Sequence, residues 1–528
     1  MNAAAAPLPA VRFHRRYLSL VEAIERRFPV TQWCAADLEV WPLARMDLYQ
    51  DLFRASVGIA SAPRRSLPAR VLQRYATPLV NVWRSREDLR HWVARPKPAH
   101  SIFLGDGVSL DWVDGAWQDR YGEPLMAALG RRGRDTFLMQ PGDLSRLPWH
   151  RPTFAANRVA VRGARRRTSV TACPSLPGLQ QVSQFLAAEG IDAPSLTQTA
   201  LTARARLLLA TAAAFEQVLD IVQPTLAFVV TYYADLGPAF MLACRRRGVL
   251  SIDLQHCPHE GAHKAYGWWA LPPSGYAVLP AVFWHWTQAD ATHTQSWASR
   301  LALPWHRSVH GGHVQLTPYL DDRDPNTLRL DRRFDTLTDG VRYPREILVA
   351  LQPVSGYRAQ WDALATQIEA SPPEWRWWIR RHPASRAYQD DEYRRLIELR
   401  RPNVIIDGAS LLPLPVLLRH IHVLVSRFSG ASAEAADFGV PSLFLSDEAR
   451  GQFGGLIERG IARVVDIAQI HAHIAQLPLL TQRPSLASPP ELDSTLSLLE
   501  AVAPDYRIQC QDQSAMRRTR LESRNSSR

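Results

Sequence analysis

Cysteine is scarce: Cys34, Cys173, Cys244, Cys257 and Cys510 are all there are in 528 residues. They are scattered, odd in number and never spaced Cys-x-x-Cys, which excludes a disulfide framework and a zinc ribbon. Long apolar runs are missing as well. The longest candidate, residues 207–230, is broken by Glu216, Asp220, Gln223 and Pro224, so nothing approaches the ~18–20 apolar residues of a membrane span. Neither an apolar core nor a small-residue cleavage site follows Arg15 and Arg16, so no signal peptide is expected and the expected location is cytoplasmic. No repeat of ~20–50 residues occurs, which excludes solenoids and propellers.

Charge is not balanced. The net formal charge is +12, carried by arginine clusters at 162–167, 245–247 and 517–528. No helix-turn-helix, RNA-binding sheet signature or zinc finger accompanies them, so nucleic acid is not the expected partner. An anionic membrane surface or a phosphorylated substrate suits the clusters, and so does plain solvation. With 46% apolar and 21% charged residues the composition is ordinary for a globular protein. The length allows two or three domains.

Residues 1–95 read as a helical N-terminal region. Phe13, Tyr17, Leu20, Val21, Ile24 and Phe28 recur at the spacing of one helical face, and 41–53 looks similar. From 96 to 313 the texture becomes that of a Rossmann-like domain. "SIFLGDG" and "DTFLMQ" are buried-type strands. "TLAFVV", the helix "GPAFMLACRRR" closed by Gly248, and "VLSIDL" form a strand–helix–strand unit with parallel strands. Residues 314–345 are polar and read as a linker. From 346 to 485, "EILVAL", "WRWWIR", "NVIID", "HVLVS", "PSLFLS" and "ARVVD" alternate with helical patterns, a second doubly wound domain. Residues 486–528 read as a helix ending in a disordered basic tail. The expected fold is α/β: two Rossmann-like domains facing a cleft, with an added helical N-terminus. Ligands should then sit at the carboxyl ends of strands.

At one such end stands "VLVSRFSGASAEAADFGVP". The strand ends at Ser426, and Ser429, Gly430 and Ser432 open a helix whose N–H groups and hydroxyls suit a diphosphate. Glu434, one turn in, is placed to accept from ribose hydroxyls; the bland alternative is a serine-capped helix with an exposed glutamate. This stretch resembles the nucleotide-binding helix of B-type (GT-B fold) glycosyltransferases, with a Glu-to-Gly spacing, Glu434 to Gly439, similar to that of the peptidoglycan lipid-intermediate N-acetylglucosaminyltransferase. "IRRHPAS" resembles the His-Pro motif of capsule sialyltransferases and teichoic-acid glycerophosphotransferases. That resemblance implies His382 near the donor phosphate, with Arg380 or Arg381 as further counter-charge. "LQHCPHEGAH" resembles the Gln-His-Gly stretch of capsule and lipopolysaccharide transferases, with Cys257 where the family has glycine. A Cβ at that position restricts positive φ and close substrate approach.

His256, two residues past a strand, is a candidate general base, and Asp106 in "LGDG" is an alternative one. Gln255, His259, His263, Asp235, Gly237 and Gly312 are candidates to line the acceptor side. A metal held by His256, His259, His263 and Cys257 or Glu260 is the second reading of the cluster, and backbone-bonded loop histidines the third. Trp268, Trp269, Trp284 and Trp286 are divided between sugar stacking and core. The expectation is a glycosyltransferase of surface-polysaccharide synthesis needing no metal and no cofactor beyond its nucleotide-sugar co-substrate. Its acceptor is a glycan or lipid-linked glycan, at the cytoplasmic face of the inner membrane if the arginines dock there. A nucleotide-sugar epimerase, a metallohydrolase and a non-catalytic nucleotide- or glycan-binding protein stay open.

Overall fold

The structure, a computed structural model, describes residues 10–56, 94–141, 148–165, 174–234, 236–259, 263–352, 356–382, 391–478 and 492–526. In chain order its strands are β1 (Cys34–Ala35), β2 (Leu38–Glu39), β3 (Ser101–Leu104), β4 (Leu110–Val113), β5 (Ala116–Asp119), β6 (Thr136–Gln140), β7 (Phe154–Ala155), β8 (Leu226–Val230) and β9 (Leu250–Leu254). There follow β10 (Val282–His285), β11 (Arg307–His310), β12 (Arg345–Ala350), β13 (Trp375–Arg380), β14 (Val404–Ile405), β15 (Val423–Ser426), β16 (Ser442–Phe444) and β17 (Ala462–Val464). They fall into two compact units. The first comprises Met1–Gly107, Met126–Gly312 and Pro490–Arg528, the second Val108–Leu125 and His313–Pro489.

The first unit holds a 7-stranded sheet in the order β11-β10-β9-β8-β3-β6-β7, with every pairing parallel. Each residue of β3, β8, β9 and β10 is buried, as continuous apolar strands require when both sheet faces are covered. The Gln198–Val222 helix starts at Thr197, whose side chain accepts from Ala200 N–H. The Gly237–Arg247 helix joins β8 to β9 and stops where Gly248 adopts φ 63°. A Cβ on Gly237 would lie 2.2 Å from the Tyr232 carbonyl oxygen, so the turn after β8 needs glycine there. Two N-terminal helices, Ala10–Arg27 and Trp41–Ser56, flank the β1–β2 hairpin. They are anchored by Arg45, which stacks 3.8 Å from the Trp269 ring centre and donates to Glu25 at 2.9 Å and to the Trp268 carbonyl at 2.8 Å.

The second unit holds a 6-stranded sheet in the order β14-β13-β12-β15-β16-β17, again parallel throughout. Counted within the unit this is the 3-2-1-4-5-6 order of a doubly wound nucleotide fold. In both sheets the chain direction of winding reverses once, between β3 and β8 in the first and between β12 and β15 in the second. In open parallel sheets ligands bind beyond the carboxyl ends of the strands at such a reversal.

Several expectations need correcting. The presumed linker contains a helix, Pro325–Leu337, capped by Asp324, whose Leu330 and Phe334 are buried in the second unit's core. Asp324 followed by Pro325 is a helix start that the polar composition masked. Residues 108–125 were expected in the first domain but belong to the second unit, as the antiparallel β4–β5 hairpin. The C-terminal helix spans Leu492–Ser526, where a disordered end was expected. Leu496, Leu499, Ala503, Tyr506 and Cys510 hold it through a buried stripe. Arg246 and Arg247 are paired with Glu216 and Asp220. Arg245 lies 3.5 Å over the Trp305 ring. That cluster therefore serves the fold rather than a membrane surface, and the other two clusters lie largely outside the described side chains. No described helix is long and apolar enough to cross a membrane.

Candidate functional site

In the first unit the loops after β3, β8 and β9 bring Asp106, Tyr233 and His256 into one neighbourhood. Thr231, directly after β8, has φ 61°, a strained conformation for a β-branched residue. The next two residues are Tyr232 and Tyr233. Asp253, buried in β9, accepts from Tyr232 N–H at 3.0 Å and from the Tyr266 hydroxyl at 2.7 Å. With its single proton given to Asp253, the Tyr266 oxygen accepts from His256 Nδ1 at 3.2 Å. With Asp253 ionised, this arrangement favours the Nδ1–H tautomer of the imidazole. Its lone pair is at Nε2, which accepts from the Tyr233 hydroxyl at 3.0 Å. Burial pushes His256 down to about 4, with the Asp106 carboxylate opposing and the Lys264 ammonium adding. Burial also raises Asp253 to about 7 and lowers Lys264 to about 8.

The rest of "LQHCPHEGAH" divides by role. Gln255 donates to Asp290 at 3.0 Å and to the Cys257 carbonyl at 2.9 Å, and accepts from Trp286 N–H at 2.9 Å. Its amide pins the loop. His259 is buried between His285 Nδ1 at 3.1 Å and Asp290 at 3.3 Å and stacks on Tyr266. Cys257 is absent from the positive-φ residues, so a Cβ fits this loop without strain. Burial pushes its thiol up to about 12, which leaves it a poor nucleophile. Donor atoms of His256, Cys257 and His263 lie within 4.8 Å of one another. However, His263 Nδ1 accepts from Ala265 N–H at 3.2 Å, which puts its proton on Nε2. A cation held through His263 Nε2 would have to break the Ala265 bond by moving the ring proton to Nδ1, and would have to take the Cys257 proton, against the nearby Lys264 charge. Asp235 and Glu260 lie outside the described residues. Gly312 has φ 73° and its carbonyl accepts from Trp284 Nε1 at 3.0 Å. Of the four tryptophans, Trp269, Trp284 and Trp286 are core, and Trp268 is half-buried.

In the second unit the helix after β15 spans Ala431–Asp437, only two turns, so its dipole is a weak anion site. Ser426 and Ser429 are used in the turn: Ser426 accepts from Ser429 N–H at 3.1 Å, and Ser429 from Ala431 N–H at 3.3 Å. Gly430 is exposed with φ −56°, a conformation open to any residue. Ser432 is fully buried and its Oγ has no hydrogen-bond partner among the described residues. Glu434 is only 6% exposed and its Oε2 has none among them either. Burial raises its pKa, while Arg120, His313 and Arg380 pull it down. His313 itself meets Asp437 at 2.5 Å.

The hairpin supplies what the motifs do not. Arg120 makes a two-pronged pair with Asp111 at 2.9 and 3.2 Å, and both act on Glu434 and on Arg380. Arg380, rather than Arg381, is the buried arginine of "IRRHP". It donates to the Ala409 and Leu412 carbonyls, both at 2.6 Å. Arg381 lies at the strand's end, its N–H donating to Ser410 at 3.2 Å. His382 is pushed down to about 4 by burial, with Arg120 and Arg380 adding. Arg427, just past β15, was also missed. It is 3% exposed and stacks 3.1 Å from the Tyr357 ring centre. Its Nε and Nη1 have no hydrogen-bond partner among the described residues, and Glu448 lies 3.7 Å away. A charge immediately after a buried strand was its signal in the sequence; Asp111 and Arg120 carried none.

No protein-family model and no curated protein matches the sequence. Among solved structures, a UDP-GlcNAc 2-epimerase from Methanocaldococcus jannaschii aligns with TM-score 0.45 and 11% identity, over 76% of this chain and 98% of that one. One from Neisseria meningitidis bound to UDP-GlcNAc gives 0.43 and 14%, over 77% and 100%. The glycosyltransferase SnogD from Streptomyces nogalater gives 0.35 and 12%, over 80% and 100%. These values are too low to fix a family or an activity.

Proposed function

We propose that the chain is a metal-independent glycosyltransferase that moves a sugar from a nucleotide-sugar donor to a glycan or lipid-linked acceptor of a surface polysaccharide. The observation that carries the donor half is Glu434. A buried carboxylate with an unpartnered oxygen, acted on by Arg120 and Arg380, calls for a ligand offering hydroxyls and negative charge together. A ribose diphosphate is such a ligand. It would sit beyond the carboxyl ends of β12 and β15, with Glu434 accepting from ribose and Arg427 Nε and Nη1 donating to phosphate. His382, neutral at pH 7, would donate a hydrogen bond nearby.

The acceptor half rests on His256. Its favoured tautomer presents the Nε2 lone pair to an incoming hydroxyl once Tyr233 yields. As the acceptor oxygen bonds to the anomeric carbon, His256 takes its proton. The bond from that carbon to the donor phosphate breaks, its electron pair goes to the phosphate oxygen, and the cations hold the new charge. The motif resemblances of "IRRHPAS" and "LQHCPHEGAH" support the surface-polysaccharide setting.

The test is thermal unfolding against UDP, GDP, CMP, CDP and ADP without metal. A ligand that binds only the folded state stabilises it by about 2.7 kcal/mol at a hundredfold excess over Kd. One stabilising nucleotide identifies the donor class; none removes the donor reading. With the matching nucleotide-sugar, release of free epimer in the absence of any acceptor would make the chain an epimerase instead.

A further inference from the structure

The first unit has a cavity of about 460 Å³ away from the strand ends used above, walled by Glu22, Arg26, Arg45, Trp268, His293 and Arg300 among others. Its size falls within the ~300–1,000 Å³ of small-molecule sites. Of the four tryptophans in this part of the chain, Trp268 is the half-buried one that lines it. The main chain at Trp268 is fixed, because its carbonyl accepts from the buried Arg45 at 2.8 Å. Arg300 lies 5.6 Å from the Trp268 ring centre and has no carboxylate partner among the described residues. Arg26 is held by Glu22 at 2.5 Å, and Arg45 by Glu25 at 2.9 Å. Of the three guanidinium groups in the wall, Arg300 is thus the one without a carboxylate partner among the described residues. Two buried nitrogens of wall residues, Arg45 Nε and His293 Nε2, have no hydrogen-bond partner among the described residues.

We infer that this cavity is a ligand subsite for a sugar bearing an oxyanion, either a carboxylate or a phosphate. The indole gives an apolar platform for a sugar ring, and the planar guanidinium fork of Arg300 matches an oxyanion. Arg45 and His293 complete a polar floor. The subsite does not rest on the transferase reading, since it involves none of the residues assigned to donor or base.

The test is equilibrium binding of glucuronate, glucose 6-phosphate, glucose and inorganic phosphate to the full chain without nucleotide. The variants are Arg300→Gln, whose side chain is exposed, and Trp268→Leu. Glucuronate, glucose 6-phosphate or both should bind, which distinguishes the two sources of the anion. Arg300→Gln should weaken binding at least about tenfold, the loss of one charge-assisted hydrogen bond. Trp268→Leu should weaken it too, and neutral glucose should not bind. Three results would overturn the inference: no binding of either acid below about 10 mM, unchanged affinity in Arg300→Gln, or inorganic phosphate binding as well as the sugar phosphate. Failure of every nucleotide in the unfolding assay would leave these outcomes unaffected.

Discussion

Replacing Glu434 by glutamine keeps the side chain's shape and removes its charge. In the folded protein burial raises the Glu434 pKa. Its folded value therefore exceeds its unfolded one, and between the two the folded state holds more protons. Stability must fall as pH rises through that window. Below the unfolded value of ~4.5 the wild type and Glu434→Gln should be equally stable; above the folded value the variant should be the more stable. The gain is set by the pKa shift, at about 1.4 kcal/mol for each unit by which the folded value exceeds the unfolded one. Nucleotide binding should move the opposite way. Losing hydrogen bonds from ribose to a carboxylate costs about 1.5–3 kcal/mol, or roughly 10–150-fold in Kd. Urea unfolding at pH 5 and pH 8, with calorimetric titration of the stabilising nucleotide, measures both. A variant that binds nucleotide within about twofold of wild type would show that Glu434 does not touch the ligand. A variant that loses more stability at pH 8 than at pH 5 would refute the burial argument itself.

Other outcomes follow from the same geometry. His256→Ala should lower turnover by ~10²–10⁴. Tyr266→Phe removes the acceptor that favours Nδ1–H, and should lower kcat more than KM with the fold intact; equal effects on both would point to a binding role. Because His256 is held at about 4, turnover should persist into acid and not fall near the ordinary histidine value of ~6.5; a limb at 6.5 would mean another base. His259, His285 and His306 are each pushed to about 3 by burial. The stability they contribute is complete above pH ~6.5 and is lost as pH falls toward their folded values, so a urea midpoint unchanged between pH 7 and pH 4.5 would contradict this. Glu346 accepts from Arg376 at 2.9 Å and from Trp378 Nε1 at 2.8 Å in the second unit's interior. Glu346→Ala should therefore cost about 3–5 kcal/mol in chemical denaturation, and a loss under about 1 kcal/mol would mean the ion pair is not buried.

Much of the fold was legible. Runs such as 226–230 and 250–254 are apolar throughout because helices cover both faces of their sheet, and Gly248 marks a helix end by its left-handed backbone. The Arg358–Glu369 helix stands between two of the strands of 346–485, where the alternating pattern calls for one. What stayed hidden depends on contacts distant in sequence. Helix 325–337 is polar on its outer side, so composition read it as linker. Asp111 and Arg120 look like ordinary hairpin charges until folding places them near Glu434. Within "LQHCPHEGAH", sequence could identify a crowded strand end. It could not say that Gln255 and His259 are bound up in the loop's own framework while His256 is held between Tyr233 and Tyr266.

The β4–β5 hairpin has a consequence for synthesis. It leaves the ribosome early, yet its partners are made late: Asp114 pairs with Arg329, 215 residues further on. At ~5–20 residues per second that is a wait of roughly 10–40 s. A two-stranded hairpin is marginal alone in water, and this one exposes Trp112 at its surface even in the finished protein. Through that interval a nascent chain carries the hairpin without the late-made partner of Asp114. Truncations that stop before the second unit would strand it for good.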